Sequence, residues 1–376
     1  MNDETKLPDW LATPMRPAGG KGATIWAQSD DGVDTTPEAV IATWKAHFPE
    51  FWPKGQRFYA PLSGIKPGEV ALLELSPVPG APVKLSTGVM VIYADDDATD
   101  VALAYVEGIE DGRRFFHEIS AVAERMPVVL VKGGATSGGQ RAAASHTGSL
   151  ATDDRVFDGM CRQAGVIRAR TIEEAYEVAA TFATQPAPKG NKVAVVTTAG
   201  GWGVVTADAI AGTDLELLSL PDDLIAALDA ELPPRWSRNN PIDLAGGETK
   251  DTIPAVLEAV IGHPDVDAVV LLGMGIQSNQ GRMEAEGPFF PEWGLERIAA
   301  FHDRQDERYT TVAAQLAEAN GKPVLVATEL AVTFPSNAAV RGTAASGKLC
   351  YPSSNRAVHA LARLWEHARW QSRRAG

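Results

Sequence analysis

One histidine, His146, sits in the stretch GQRAAASHTGSL (139–150), between a run of alanines and a Thr-Gly-Ser turn, in a chain that has only seven histidines. Before it come the apolar run PVVLVKGG and the glycine-rich KGGATSGGQR, so the order is strand, pliable loop, imidazole, helix start. A loop of that composition can present an imidazole instead of burying it, which suits nucleophilic chemistry. The neighbouring Ser145 and several downstream aspartates raise a Ser-His-Asp hydrolase, but no Gly-x-Ser-x-Gly elbow precedes a helix here. No second His or Cys lies at ligand spacing from His146, so a metal site has still less support. Glu107, in YVEGIEDG at the end of an earlier strand, is the carboxylate best placed to serve the ring. Strand ends of one parallel sheet open into the same crevice, and an acid there would orient one ring nitrogen and leave the other free to attack. The plainer readings are a satisfied or solvated histidine and a solvated loop glutamate.

A second candidate is TTAGGWGVVTADAI (197–210), a strand running into glycines and then a helix. Gly200, Gly201 and Gly203 let backbone approach an anion, and the unpaired N–H groups and dipole of the helix start favour negative charge there. Three glycines after a strand also make a tight turn where nothing binds, and their spacing alone does not separate the two readings.

The elements that must position these residues alternate. VALAYVEGI reads as a strand, RRFFHEISAVAERM as an amphipathic helix and PVVLVKGG as a buried strand, which together make a βαβ unit. Helices are expected at 153–164 and 171–185, the second with Thr171 and Glu174 at capping-box spacing. PAPKGN (186–191) is the expected linker. Beyond it the pattern predicts strand 192–198, helices near 203–212, 221–231 and 252–261, strand 266–273, a long polar helix, the strand in KPVLVATEL and a final helix over about 353–372. Alternation of this kind implies mostly parallel sheets with ligands at the carboxyl ends of the strands. The first 95 or so residues, rich in proline and tryptophan, lack that alternation and read as an α+β or β-rich piece.

Composition narrows the function. At 376 residues, 45% hydrophobic and 22% charged, the chain suits two or three soluble domains. A formal net charge of -14 disfavours a nucleic-acid partner, which would require a clustered basic surface. Two cysteines, Cys161 and Cys350, both in segments that read as buried, argue against a disulfide framework or Cys-rich zinc site and for a cytoplasmic chain. Neither a signal peptide nor a membrane-spanning run is expected.

In order, DVALAYVEGIEDGRRF, the stretch from PVVLVKGGATSGG through SHTGSL to TIEEAYEVAA, APKGNKVAVVTTAGGWGV, NNPIDLAGG and YPSSNRAVHALARL resemble the NDP-forming acyl-CoA synthetases, the ADP-forming acetate–CoA ligase group related to succinyl-CoA synthetase. The resemblance covers about residues 94–376. It implies that His146 is transiently phosphorylated during exchange between an acyl phosphate and ATP or GTP, with Glu107 steadying the phosphohistidine. It also implies that AGGWGVV starts a helix whose positive end receives the phosphoryl group, with Ser145, Thr147 and Gly148 completing the phosphate contacts. The family reaction is acyl-CoA plus ADP and phosphate giving acid, CoA and ATP.

The expected fold is therefore α/β, with two flavodoxin-like parallel-sheet domains of the succinyl-CoA synthetase kind after an unrelated N-terminal segment. The boundaries expected are 1–95 unassigned, 96–187 phosphohistidine domain without the family's first strand and helix, and 188–376 second flavodoxin-like domain. CoA, ADP or ATP and Mg are expected as family substrates bound by parts outside this chain, since neither a CoA-binding Rossmann domain nor an ATP-grasp module is recognisable. Expected partners are an ATP-grasp beta-type subunit or domain, in a hetero-oligomer, and a small acyl substrate; no nucleic acid or membrane partner is expected. Trp202 and Ala135 depart from the family pattern, which has proline and arginine there. The alternative is a non-catalytic binding or assembly protein that retains the ligase-like domains.

Overall fold

The computed structural model describes Ala71–Leu75 and residues 99–375, apart from 107–108, 110–111, 142–152, 245 and 247–250. The chain divides into two compact units, one reaching to Ala179 and the other running from Ala180 to Gly376.

Among the described residues of the first unit, four parallel strands lie in the order β1-β2-β3-β4: β1 (Ala71–Leu75), β2 (Ala102–Val106), β3 (Val128–Lys132) and β4 (Ile167–Ala169). Every residue of β3 is buried, as expected for a strand covered on both faces. Helix α1 (Gly112–Ala123) follows β2 and buries Phe115, Ile119 and Val122, whose three- and four-residue spacing makes one apolar stripe. Helix α2 (Asp154–Ala164) buries Phe157, Cys161 and Ala164 at the same spacing. Asp153 caps it, its carboxylate accepting the N–H groups of Arg155 (2.8 Å) and Val156 (3.3 Å). Gly165 stops it at φ 75°, a left-handed conformation that suits glycine.

β1 changes one expectation. It pairs in parallel with β2 from Ala71–Ala102 to Leu75–Val106, so this sheet reaches into the stretch set apart as residues 1–95. Parallel pairing needs a crossover of about a dozen residues or more, which the span 76–101 supplies.

Helix α3 (Ile172–Thr184) opens with the expected cap: the Glu174 N–H donates to Thr171 Oγ1 at 3.1 Å. The Glu174 carboxylate, however, accepts the N–H of Arg170 at 2.8 Å, one residue before the cap. The compact units part within α3. The end of α3 is tied into the second unit by buried hydrogen bonds. Thr181 and Tyr351 share a hydroxyl bond of 2.5 Å, and the Gln185 side chain exchanges two bonds with the Val324 backbone, at 3.0 and 3.1 Å.

The second unit has a parallel sheet in the order β10-β9-β8-β5-β6, with β7 also paired to β5. Its strands are β5 (Lys192–Thr197), β6 (Glu216–Leu217), β7 (Ile242–Asp243), β8 (Ala268–Leu272), β9 (Val324–Ala327) and β10 (Cys350–Tyr351). The helices are α4 (Gly200–Ala211), α5 (Asp222–Glu231), α6 (Thr252–Gly262), α7 (Ile276–Ala285), α8 (Leu295–Asn320), α9 (Leu330–Thr333), α10 (Ala338–Ala345) and α11 (Ser354–Ala375). Val196, Ile242, Val256, Leu257, Val269 and Leu271 are among the fully buried residues of its core.

β6 and β7 are two residues each and share one edge of β5, β6 pairing at Lys192–Val193 and β7 at Val196–Thr197. Between them the side chain of Asn240 acts in place of a strand. Its Oδ1 accepts the Val195 N–H (2.9 Å), and its Nδ2 donates to the carbonyls of Val193 and Leu218 (both 2.9 Å). No helix among the described residues is long and apolar enough to cross a membrane.

Candidate functional site

Of the predicted site residues, Glu107, Ser145, His146, Thr147 and Gly148 lie outside the described residues. The described structure does fix the strand ends that lead to them. β2 and β3 are neighbours in parallel register, with Val106 opposite Lys132. Glu107 directly follows Val106, and the glycine-rich segment leading to His146 directly follows Lys132. Val106 and Lys132 thus end their strands side by side at the carboxyl edge of the sheet, where the Gly133 N–H donates to the Val106 carbonyl at 2.9 Å.

In the second unit, Gly200, Gly201 and Gly203 form the first turn of α4 at the carboxyl end of β5. Thr197 and Thr198 hold the turn. Thr197 Oγ1 accepts the Ala199 N–H (3.0 Å) and donates to the Ala199 carbonyl (2.9 Å), while Thr198 Oγ1 donates to Gly273 O (3.1 Å) at the end of β8. Gly273 has φ +79°, and a Cβ there would fall 2.0 Å from Thr198 Oγ1, so only glycine permits this close approach.

The three glycines have different surroundings. A Cβ on Gly203 would meet Pro241 Cβ at 2.9 Å, and one on Gly200 would meet Asp243 Oδ2 at 2.5 Å. Gly201 is exposed, with nothing within 4 Å of its Cβ position. Gly203 thus serves close packing of α4, and Gly201 is the open position at the helix start. The Trp202 N–H donates to the Ala199 carbonyl at 3.1 Å. The N-cap residue Ala199 gives α4 no side-chain cap and its first turn holds no acidic residue, while the Asp243 carboxylate from β7 lies beside Gly200.

A second helix in the same unit has a carboxylate hydrogen-bonded at its start. α7 also starts at the carboxyl end of a strand, β8, but buried Asp306 of α8 accepts the Ser278 N–H at 2.6 Å and is also bonded by the Gly275 backbone. Burial raises the pKa of this carboxyl, and the hydrogen bonds from Ser278 and Gly275 oppose the shift. Nearby, Asn337 donates from Nδ2 to the Gly275 carbonyl (2.9 Å) and caps α10 through the Ala339 N–H (2.9 Å). The chain thus sets a carboxylate at both helix starts, Asp306 hydrogen-bonded at α7 and Asp243 beside Gly200 at α4.

Thr197, Thr198, Asp243 and Asp306 were missed from sequence. NNPIDLAGG stood out as a motif, and its Asn240 and Asp243 prove to brace β5 and flank Gly200, respectively. Among the described residues no group of three or more His, Cys, Asp or Glu could hold a metal ion.

Residues 83–182 match the model of the succinyl-CoA ligase like flavodoxin domain, and residues 193–276 match that of the Ligase-CoA domain. The chain is similar to the NDP-forming acyl-CoA synthetases. It is 40% identical over 181 residues to the ADP-forming acetate–CoA ligase II subunit alpha of Pyrococcus furiosus, covering 48% of this chain and 39% of that subunit. With the I subunit alpha of the same organism it is 28% identical over 281 residues, 75% of this chain and 55% of that subunit. It also resembles a solved structure, the dinucleotide forming acetyl-coenzyme A synthetase 1 of Ca. Korarchaeum cryptofilum in complex with phosphate and ADP, with a TM-score of 0.64 and 26% identity. That match covers 82% of this chain and 66% of the other. The chain therefore spans only part of these relatives' length. The first family model begins at residue 83, ahead of the start near residue 94 expected from the motifs.

Proposed function

We propose that this chain is a subunit or fragment of an NDP-forming acyl-CoA synthetase and that His146 carries the phosphoryl group. The observation that supports this most directly is the pairing of Val106 with Lys132 on adjacent strands, since Glu107 follows the one and the segment bearing His146 follows the other in sequence. In the proposed cycle phosphate displaces CoA from acyl-CoA to give an acyl phosphate. A ring nitrogen of His146 then attacks phosphorus, and the P–O bond to the acyl carboxylate breaks, releasing the acid. ADP finally takes the phosphoryl group from the ring, giving ATP and restoring the imidazole. Glu107 stabilises the charged ring and sets the attacking nitrogen. The uncapped start of α4, with exposed Gly201, supplies N–H groups and dipole to the phosphoryl oxygens.

CoA, the nucleotide and an ATP-grasp beta-type partner belong to this proposal, as does a cytoplasmic hetero-oligomer. The relatives in Pyrococcus furiosus are named as alpha subunits, and the similar Korarchaeum structure holds phosphate and ADP. The test is incubation of the full chain with γ-labelled ATP and an ATP-grasp subunit, followed by assay for acid-labile, base-stable label. Label is expected on the wild type and absent from His146→Asn, with folding unchanged. Full labelling of His146→Asn would remove His146 from the mechanism, and an unlabelled wild type would favour a non-catalytic binding role.

A further inference from the structure

At the end of β3 the structure places a buried cation among groups that the proposed cycle does not use. Lys132, its side chain 2% exposed, donates from Nζ to the carbonyls of Gly133 (3.4 Å) and Gly134 (3.3 Å) and lies 3.8 Å from Asp154 Oδ1. Gly133 and Gly134 open the segment that carries His146, and Asp154 is the first residue of the helix to which that segment returns. The turn after Lys132 is itself compact, with the Gln140 N–H donating to Thr136 O at 2.7 Å and the Gly139 Cβ position 3.2 Å from Gly134 Cα. We infer that Lys132 is a positioning residue, a clamp that joins the two ends of the 133–153 segment and so fixes the base from which His146 acts. This inference rests on the phosphohistidine reading.

The surroundings make the clamp rigid. Arg168, side chain 6% exposed, donates from Nη2 to Asp154 Oδ1 (2.5 Å) and from Nη1 to the Asp154 carbonyl and Asp158 Oδ1 (both 3.2 Å). The Phe157 ring, fully buried, carries Lys132 Nζ 5.6 Å and Arg168 Cζ 5.3 Å from its centroid. Arg162 and Arg170 also pair with Asp158, and Arg170 reaches Asp154 at 3.8 Å. Two carboxylates thus face four cations, so removing Lys132 leaves Asp154 compensated by Arg168 and Arg170. Burial lowers the Lys132 pKa, the nearby Arg168 adds to this, and Asp154 opposes it. Lys132 is the one member of the cluster that also holds the loop carbonyls, which is why its loss should loosen the segment without exposing an unpaired charge.

The experiment is hydrogen exchange on the full chain, comparing wild type, Lys132→Met and Asp154→Asn, alongside labelling of His146 from γ-labelled ATP with an ATP-grasp subunit. Lys132→Met is expected to speed exchange at 133–141 and 153–158 about tenfold while leaving β4 and α3 unchanged. Labelling should fall about tenfold in rate constant with the half-saturating ATP concentration unchanged, a split that simple destabilisation would not give. Asp154→Asn reads the same exchange from the other end should Lys132→Met fail to fold. Unchanged exchange in the variants overturns the clamp whatever labelling does, and faster exchange with normal labelling overturns the positioning role. If the wild type takes no label, the phosphohistidine reading and the positioning role fall together, and exchange still decides the clamp.

Discussion

Alanine substitutions at Gly201 and Gly203 should separate the two things glycine does at the start of α4. At Gly203 the new methyl meets Pro241 Cβ at 2.9 Å, and Pro241 Cγ and Thr197 Cγ2 at 3.3 Å, all on groups with little freedom to withdraw. Overpacking of this kind costs about 1–3 kcal/mol, against which replacing glycine in a helix returns up to about 1 kcal/mol. Gly203→Ala should therefore lower stability by roughly 1 kcal/mol. At Gly201 the methyl meets nothing within 4 Å, so only the helix term remains, and stability should rise by a few tenths to about 1 kcal/mol. That methyl nonetheless stands at the open end of the helix, where a phosphoryl group would approach. Urea denaturation of the two variants and the wild type, read as midpoint shifts at constant slope, measures the difference, expected near 1–3 kcal/mol between variants. Phosphoryl transfer should fall in Gly201→Ala despite its stability. A Gly203→Ala protein as stable as Gly201→Ala would refute the packing assignment, and undiminished transfer in Gly201→Ala would remove the α4 start from the chemistry.

Other outcomes follow from the same geometry. If His146 and Glu107 act as proposed, Glu107→Gln should slow phosphohistidine formation or speed its decay by about 10- to 1,000-fold, measured by quench-flow labelling, because it would remove the charge proposed to stabilise the ring. Asn240→Asp would set a carboxylate against two buried carbonyls and should destabilise the second unit by about 3 kcal/mol or more in urea titrations. Because burial raises the Asp306 pKa, the folded chain keeps that proton to higher pH than the unfolded chain does. The group's contribution is present below the ordinary Asp value of about 3.9 and is lost as pH rises through the folded value, so Asp306→Asn should remove a falling component of stability just above pH ~4. Cys161 and Cys350, each pushed up to about 12 by burial, should react with a thiol reagent only after denaturation.

The parts of the fold legible in the sequence are those with several turns or strand residues of periodic burial. β3, with five buried residues, and α2, with Phe157, Cys161 and Ala164 on one stripe, announce themselves, and so does the Thr171 cap. β6 and β7 do not, because a two-residue strand has no period to read; they exist only because β5 offers them an edge. The start of α4 was legible as a glycine-rich turn, but not the division of labour among its glycines, which depends on where Pro241 and Asp243 arrive from 40 residues away in sequence. Asp306 capping α7 was hidden for the same reason: nothing in the long polar helix marks one aspartate as buried.

The Asn240 side chain also bears on how the protein ages. Asparagine deamidates chiefly when the backbone nitrogen of the next residue attacks the side-chain amide and closes a succinimide, and that nitrogen must carry a hydrogen to lose. The residue after Asn240 is Pro241, whose nitrogen has none. The amide that completes the edge of β5 would, once hydrolysed, face two carbonyls as a carboxylate, yet its own successor blocks the main route of hydrolysis. Its neighbour Asn239 is exposed and is followed by a residue with an ordinary N–H, so slow chemical damage in this loop should collect at Asn239 and spare the position on which the sheet depends.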